Sequence, residues 1–245
     1  MAQNIYDDPA FFAGYSRLPR SVGGLASAPE WPSLRAMLPD VRGLKIADLG
    51  CGFGWFCRWA RENGAYLVRG YDVSEKMLER ARAETSDDNI SYAQADLETI
   101  QLRREAFELV YSSLALHYVE DVTRLMAKVH TTLVPGGHFV FSTEHPIFMA
   151  PRNPGWSLDD EGRPAWPLDS YASEGARTTE WFTPGVVKYH RTLGTTLNAL
   201  IGTGFAVRRV EEFVPSAEQI AAQPELAKER ERPMFLLVAA QRAKV

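Results

Sequence analysis

The sequence predicts an α/β fold, a doubly wound and mainly parallel sheet with helices on both faces. Three observations predict it. Beyond residue 43, short β-rich runs alternate with amphipathic stretches of helix length, the pattern of strands joined by crossover helices. The first strand runs into Asp48-Leu49-Gly50-Cys51-Gly52-Phe53-Gly54, where glycines at alternate positions call for a sharp bend and a close approach. The chain has 245 residues, 45% apolar and 24% charged, enough for one large α/β domain with a sizeable core.

The elements follow in order. Residues 44–49 (LKIADL) read as a strand, and the glycine turn delivers it into a helix from residue 55. On that helix Phe56, Trp59, Ala60 and Asn63 share one face, and Gly64 suits its C-terminal cap. Residues 66–72 form the second strand. The helix after it starts at Ser74 as N-cap and buries Met77, Leu78 and Ala81. Residues 90–96 and 107–113 are the third and fourth strands, 121–133 a helix ending at Pro135-Gly136-Gly137, and 138–143 the fifth strand. A helix near 192–201 then leads to strands at 206–213 and 234–240.

Two segments fall outside this rhythm. Residues 1–40 scatter Tyr6, Phe11, Phe12, Tyr15 and Trp31 among prolines and glycines, and are expected to form an N-terminal lid. Residues 144–185 hold six prolines and three tryptophans without periodicity, and are expected to cover a substrate site. Residues 41–143 are then the ligand-binding core and 186–245 the C-terminal part of the same domain.

Composition limits the function. Net charge is −4 with no long Lys/Arg block, so a nucleic-acid partner is not expected. The two cysteines, Cys51 and Cys57, lack zinc-ligand spacing, and no metal site is expected; so few thiols suit a reducing cytoplasm. The start lacks a signal pattern, and no apolar run is long enough to span a bilayer, so the expected localisation is cytoplasmic.

The glycine turn sits where open parallel sheets bind ligands, at the carboxyl end of a strand. Its N–H groups and the following helix dipole would favour a negative group there. No Lys-Ser/Thr follows, which removes a nucleotidase-type phosphate loop. Trp55 stands where a dinucleotide fingerprint needs a small residue, which disfavours hydride transfer. Asp72, ending the second strand 22 residues after Gly50, can accept both hydroxyls of a ribose. Turn and acid together describe an amino-acid-bearing nucleoside.

The runs DLGCGFG, GYDVSEKML, YAQADLE, FELVYSSLALHYVED and LVPGGHFVFST, in this order and spacing, resemble the motifs of class I S-adenosylmethionine-dependent methyltransferases, closest to the small-molecule, quinone-biosynthesis-like branch. The resemblance covers roughly residues 40–145. It implies a Rossmann-like, doubly wound, mainly parallel seven-stranded sheet, S-adenosylmethionine as cofactor, and a small-molecule methyl acceptor. It also implies residue roles. Gly50, Cys51, Gly52 and Gly54 would line the methionine end, and Asp48 would orient its amino group. Asp72 would hold the ribose, with Val73 and Met77 against the adenine; Asp96 would meet the adenine amino group beside Leu97. Ser112 and Ser113 would lie where donor meets acceptor. Tyr15 would stack over the cofactor and Arg20 approach its carboxylate.

Should the acceptor carry a proton that must leave, His117, His145 and His190 are the candidate bases, with Glu144 and Tyr189 beside them. The Asn/Asp-Pro-Pro-Tyr/Phe run of DNA amino-methylases is absent after the fourth strand, which reads YSSLALHY. The expected activity is O- or C-methylation of a small molecule by a monomer or homodimer. Rivals on the same fold are an aminopropyl transferase, a dehydrogenase and a non-catalytic cofactor sensor.

Overall fold

A computed structural model of the protein describes residues 3–244; Met1, Ala2 and Val245, at the outer ends of the expected lid and C-terminal segments, lie outside the described residues. The strands are β1 (Lys45–Leu49), β2 (Leu67–Asp72), β3 (Ile90–Gln94), β4 (Phe107–Ser113), β5 (Leu133–Glu144), β6 (Ser157–Leu158), β7 (Pro164–Ala165), β8 (Gly175–Trp181), β9 (Thr183–His190), β10 (Phe205–Glu212) and β11 (Phe235–Arg242). The α-helices are α1 (Pro9–Tyr15), α2 (Pro19–Gly23), α3 (Trp31–Arg35), α4 (Trp55–Glu62), α5 (Glu75–Ala83), α6 (Val122–Thr132), α7 (Pro146–Met149), α8 (Leu193–Gly202) and α9 (Ala217–Ala222).

Seven strands form one sheet in the order β10-β11-β5-β4-β1-β2-β3. Pairing is parallel from β5 through β4 and β1 to β3, and β11 runs antiparallel between β10 and β5. This is the Rossmann-like architecture expected. The strand order reverses between β1 and β4, and there the carboxyl ends open a crevice.

Alternation along the strands sends neighbouring residues to opposite faces. Ile46, Leu109, Val140 and Leu237 pack with Trp31, Leu34, Phe56, Ala60 and Leu78 on one face. Ala47, Val110, Phe139, Phe141 and Leu236 pack with Leu125, Met126, Val129 and Leu200 on the other. The first six residues of β11 are buried, as fits a strand covered on both faces. α6 ends earlier than its sequence suggests: the chain is already paired at Leu133, opposite Phe107, and runs through Pro135-Gly136-Gly137 as part of β5 past a register shift. The glycines expected to end the helix thus belong to an irregular strand start.

The residues between β5 and α8 are ordered. α7 and the small β6–β7 ribbon come first, and the antiparallel hairpin β8–β9 carries the chain across residue 185 to His190. Its tip is Phe182, at φ 59°. Trp181 and Phe182 meet Phe11 edge-on, with ring centroids 5.3 and 5.6 Å away, and Trp181 meets Tyr15 at 6.1 Å. Gln3 adds a backbone-like bridge, donating to Gly185 O and accepting from Val187 N–H. The N-terminal helices and the hairpin thus close on each other above the sheet. Among the described residues no helix is long and apolar enough to cross a membrane.

Candidate active site

Between these segments and the carboxyl ends of β1, β2 and β4 lies a cavity of about 550 Å³, within the range of small-molecule sites. One half is built on the glycine turn. Gly50, Gly52 and Gly54 all have positive φ (79°, 51° and 74°), a region closed to most side chains. Their reasons differ. A Cβ on Gly50 would come within 2.4 Å of Ala115 Cβ, and one on Gly54 within 2.1 Å of the Tyr92 hydroxyl. A Cβ on Gly52 would meet nothing within 4 Å, so Gly52 opens the cavity wall.

The turn does not present an array of free N–H groups, contrary to expectation. Gly50 and Cys51 donate to Tyr71 O, Gly54 to Cys51 O, and Gly52 to Asp72 Oδ2 at 2.8 Å. What it offers a ligand is room and a wall of bare main chain. Asp72 is correspondingly rigid, since its Oδ1 accepts Ser74 N–H at 3.0 Å. Each oxygen still has a lone pair to spare. Burial pushes the Asp72 carboxyl above its usual range.

Asp48 also faces the cavity, 2% exposed, and receives the Cys57 thiol at 3.3 Å on Oδ2. Burial pushes its carboxyl from 3.8 up to about 7. An ammonium group arriving there would restore the charge. Val73, Met77, Asp96, Leu97, Cys51 and Ser113 also line the cavity. Ser74 caps α5 and holds Asp7 of the N-terminal segment at 2.6 Å.

The other half is roofed by the segment after β5. Phe148, Met149, Trp181, Met234 and Phe235 make it apolar. Its charges come mostly as pairs. Arg20 donates to both oxygens of Glu30 at 2.8 and 2.9 Å, and Lys188 Nζ donates to Glu144 Oε1 at 2.5 Å. Arg177 gives its N–H groups to main-chain carbonyls, among them Ala150, Ser170 and Ser173. Lys188 also lies 4.8 Å from the Trp181 ring centroid, in cation–π range.

Of the three candidate histidines, the structure brings only His117 to the cavity. It is held neutral, well below its usual range, by burial and by the cations Lys188 and Arg191. Its Nδ1 accepts Glu144 N–H at 3.4 Å, which leaves the ring hydrogen on Nε2, 3.9 Å from Glu144 Oε1. His145 instead caps α7 through Nδ1 and bonds Glu212 through Nε2, and His190 bonds Tyr171 O. Neither lines the cavity, and both are buried. Ser112 is likewise turned away and donates to Leu49 O, and Gly54 serves packing against Tyr92.

Sequence reasoning missed Lys188, Glu30, Tyr6 and Tyr118 in the cavity wall. A lysine at an inward position between Val186 and His190 is a signal that alternation could have flagged.

A family model described as a methyltransferase domain matches residues 47–141. An S-adenosylmethionine-dependent methyltransferase from Mesorhizobium loti, solved by crystallography, is 65% identical, with 89% of this chain and 100% of that one covered and a TM-score of 0.87. The chain belongs to the S-adenosylmethionine-dependent methyltransferases. A solved structure from Listeria monocytogenes is 41% identical over 89% of this methyltransferase and 99% of that chain, with a TM-score of 0.83. The malonyl-[acyl-carrier protein] O-methyltransferase of Enterobacter lignolyticus is 34% identical over 53% of this chain and about half (50%) of its own. S-adenosylmethionine is therefore the cofactor, and the glycine-turn half of the cavity fits it: open space at Gly52, spare lone pairs on Asp72, and a buried Asp48 suited to an ammonium group.

Proposed function

We propose that this methyltransferase methylates an oxygen or carbon of a small molecule held in the apolar half of the cavity. The observation that carries the reading is the division of one enclosed space into an acidic half, with Asp48, Asp72 and Asp96, and an apolar half whose charges are compensated. When bound, S-adenosylmethionine supplies a methyl group already activated on a cationic sulfur.

The protein's own residues then bind, orient and exclude water. Asp72 would accept the ribose hydroxyls and Asp48 the amino group. Val73, Met77 and Leu97 would flank the adenine and Asp96 meet its amino group. Tyr6 and Tyr15, half-buried in the cavity wall, would offer ring faces to a cation. Arg20 already spends its charge on Glu30, so it would reach the cofactor carboxylate only with a remaining donor. Ser113, at the end of β4, would sit near the junction of the halves. Holding two partners in reactive alignment is worth ~7–11 kcal/mol of barrier.

The O-methyltransferase relatives support oxygen methylation. A malonyl carboxylate calls for an unspent cation, whereas Arg20, Lys188 and Arg177 are engaged. The geometry favours an uncharged acceptor. The test is incubation with methyl-labelled S-adenosylmethionine and a metabolite extract, followed by mass identification of labelled products. A labelled small molecule is expected. Label confined to protein or nucleic acid would contradict the reading.

A further inference from the structure

Glu144 stands apart from the other carboxylates of the cavity wall. Both oxygens of Glu30 are taken by Arg20, both of Asp72 by main-chain N–H groups, and Asp48 belongs to the cofactor half. Glu180 is exposed to solvent. Glu144 Oε1 receives Lys188, but Oε2 is buried without a protein partner. An unmatched buried polar atom is costly, and at the wall of a cavity a donor that comes with a ligand can match it. The groups facing this carboxyl are Lys188 from β9, His117 and Tyr118 after β4, and Arg232 before β11. His117 has no lone pair left to take a proton, because Nδ1 is spent on Glu144 N–H.

We propose that Glu144 is the catalytic base and that the acceptor it serves is an uncharged phenol or enol on an apolar body. This rests on the reading of the cavity as a cofactor half and an acceptor half. The acceptor's O–H bond breaks, its electron pair stays on oxygen, and the proton goes to the Glu144 carboxylate. Lys188, no longer facing an anion in Glu144, stabilises the new oxyanion, and net charge is conserved. Burial raises the Glu144 carboxyl toward working pH against the pull of Lys188, which suits it to take and release a proton. Beyond Glu144 a second cavity of about 20 Å³, lined by His117, Thr143, Tyr189, Arg191 and Thr196, has room for one water and gives the proton a way out. His117 is a positioning residue for the Glu144 main chain.

The experiment uses the protein saturated with S-adenosylhomocysteine and measures binding of phenol, 4-nitrophenol and 2-naphthol, each against its methyl ether. The wild type is expected to prefer each phenol by roughly tenfold or more, the worth of one charge-assisted hydrogen bond. Glu144→Gln should erase that preference while leaving S-adenosylhomocysteine affinity unchanged. Lys188→Met should shift the loss of preference on acidification to higher pH, since a carboxylate without its cation holds its proton longer; a merely structural glutamate gives no such shift. If Glu144→Gln alone does not fold around an unpaired Lys188, the double variant with Lys188→Met removes both charges and takes its place. Equal binding of phenols and ethers, binding of neither, or a preference that survives without Glu144 overturns the proposal. Failure of S-adenosylhomocysteine to bind the wild type would instead strike the cofactor reading beneath it, and the proposal with it.

Discussion

Asp48 and Asp72 end neighbouring strands, yet their surroundings give them different jobs. Asp72 is tied by two main-chain N–H groups, so its geometry is fixed before a ligand arrives. Replacing it with Ala should weaken S-adenosylmethionine binding at least tenfold, from ~1.5–3 kcal/mol per charge-assisted bond; calorimetry checks this, and unchanged affinity would remove Asp72 from the ribose role. Asp48 holds its proton up to about pH 7 in the folded protein, against 3.8 for an unperturbed carboxyl. A raised carboxyl favours the folded state below the lower value and loses that advantage as pH rises through the upper one. The ligand-free protein should therefore lose stability between pH 4 and 7, by on the order of a few kcal/mol from this group. Asp48→Asn should flatten the fall in a thermal melt series. An ammonium-bearing cofactor should also displace the Asp48 proton, which calorimetry in two buffers of different ionisation enthalpy reads directly. These two acids were legible in the sequence because each ends a recognisable strand beside the glycine turn. The pairs Glu144–Lys188 and Arg20–Glu30 were not, because partners 44 and 10 residues apart meet only once the cover and lid are folded.

At the scale of elements, the glycine turn separates two requirements that look alike in sequence. Gly50→Ala forces a Cβ to 2.4 Å from Ala115 at φ 79°, so it should cost folding stability, by ~2 kcal/mol or more, seen in denaturant unfolding. Gly52→Ala has open space before it and only the positive φ to bear, about 1 kcal/mol, so the fold should survive while cofactor affinity falls. Equal stability losses in the two variants would contradict this division. The hairpin β8–β9 was beyond sequence reading for a physical reason. Its strands are mostly half-buried, its register shifts near the tip, and its tip is held by Trp181 and Phe182 against Phe11. The central sheet strands were legible because burial on both faces demands apolar runs that stand out from their flanks.

Over the whole molecule, the reversal of strand order at β1 and β4 sets where ligands go, and the two irregular segments set what can reach them. The N-terminal segment and the hairpin meet through Phe11, Tyr15, Trp181 and Phe182, an aromatic contact at the edge of the cavity. Trp181→Ala should loosen it: faster hydrogen exchange in residues 9–23 and a weaker acceptor site, with the sheet unchanged. Unaltered exchange there would mean that lid and cover stand independently. We infer that bare main chain at Gly52 and the fixed carboxylate of Asp72 grip the cofactor together. A calorimetric titration of S-adenosylhomocysteine into the wild type and Asp72→Ala, side by side, tests it most directly. Saturable one-to-one binding that drops at least tenfold in the variant is the predicted result; absence of heat with the wild type, or identical isotherms for the two proteins, would contradict it.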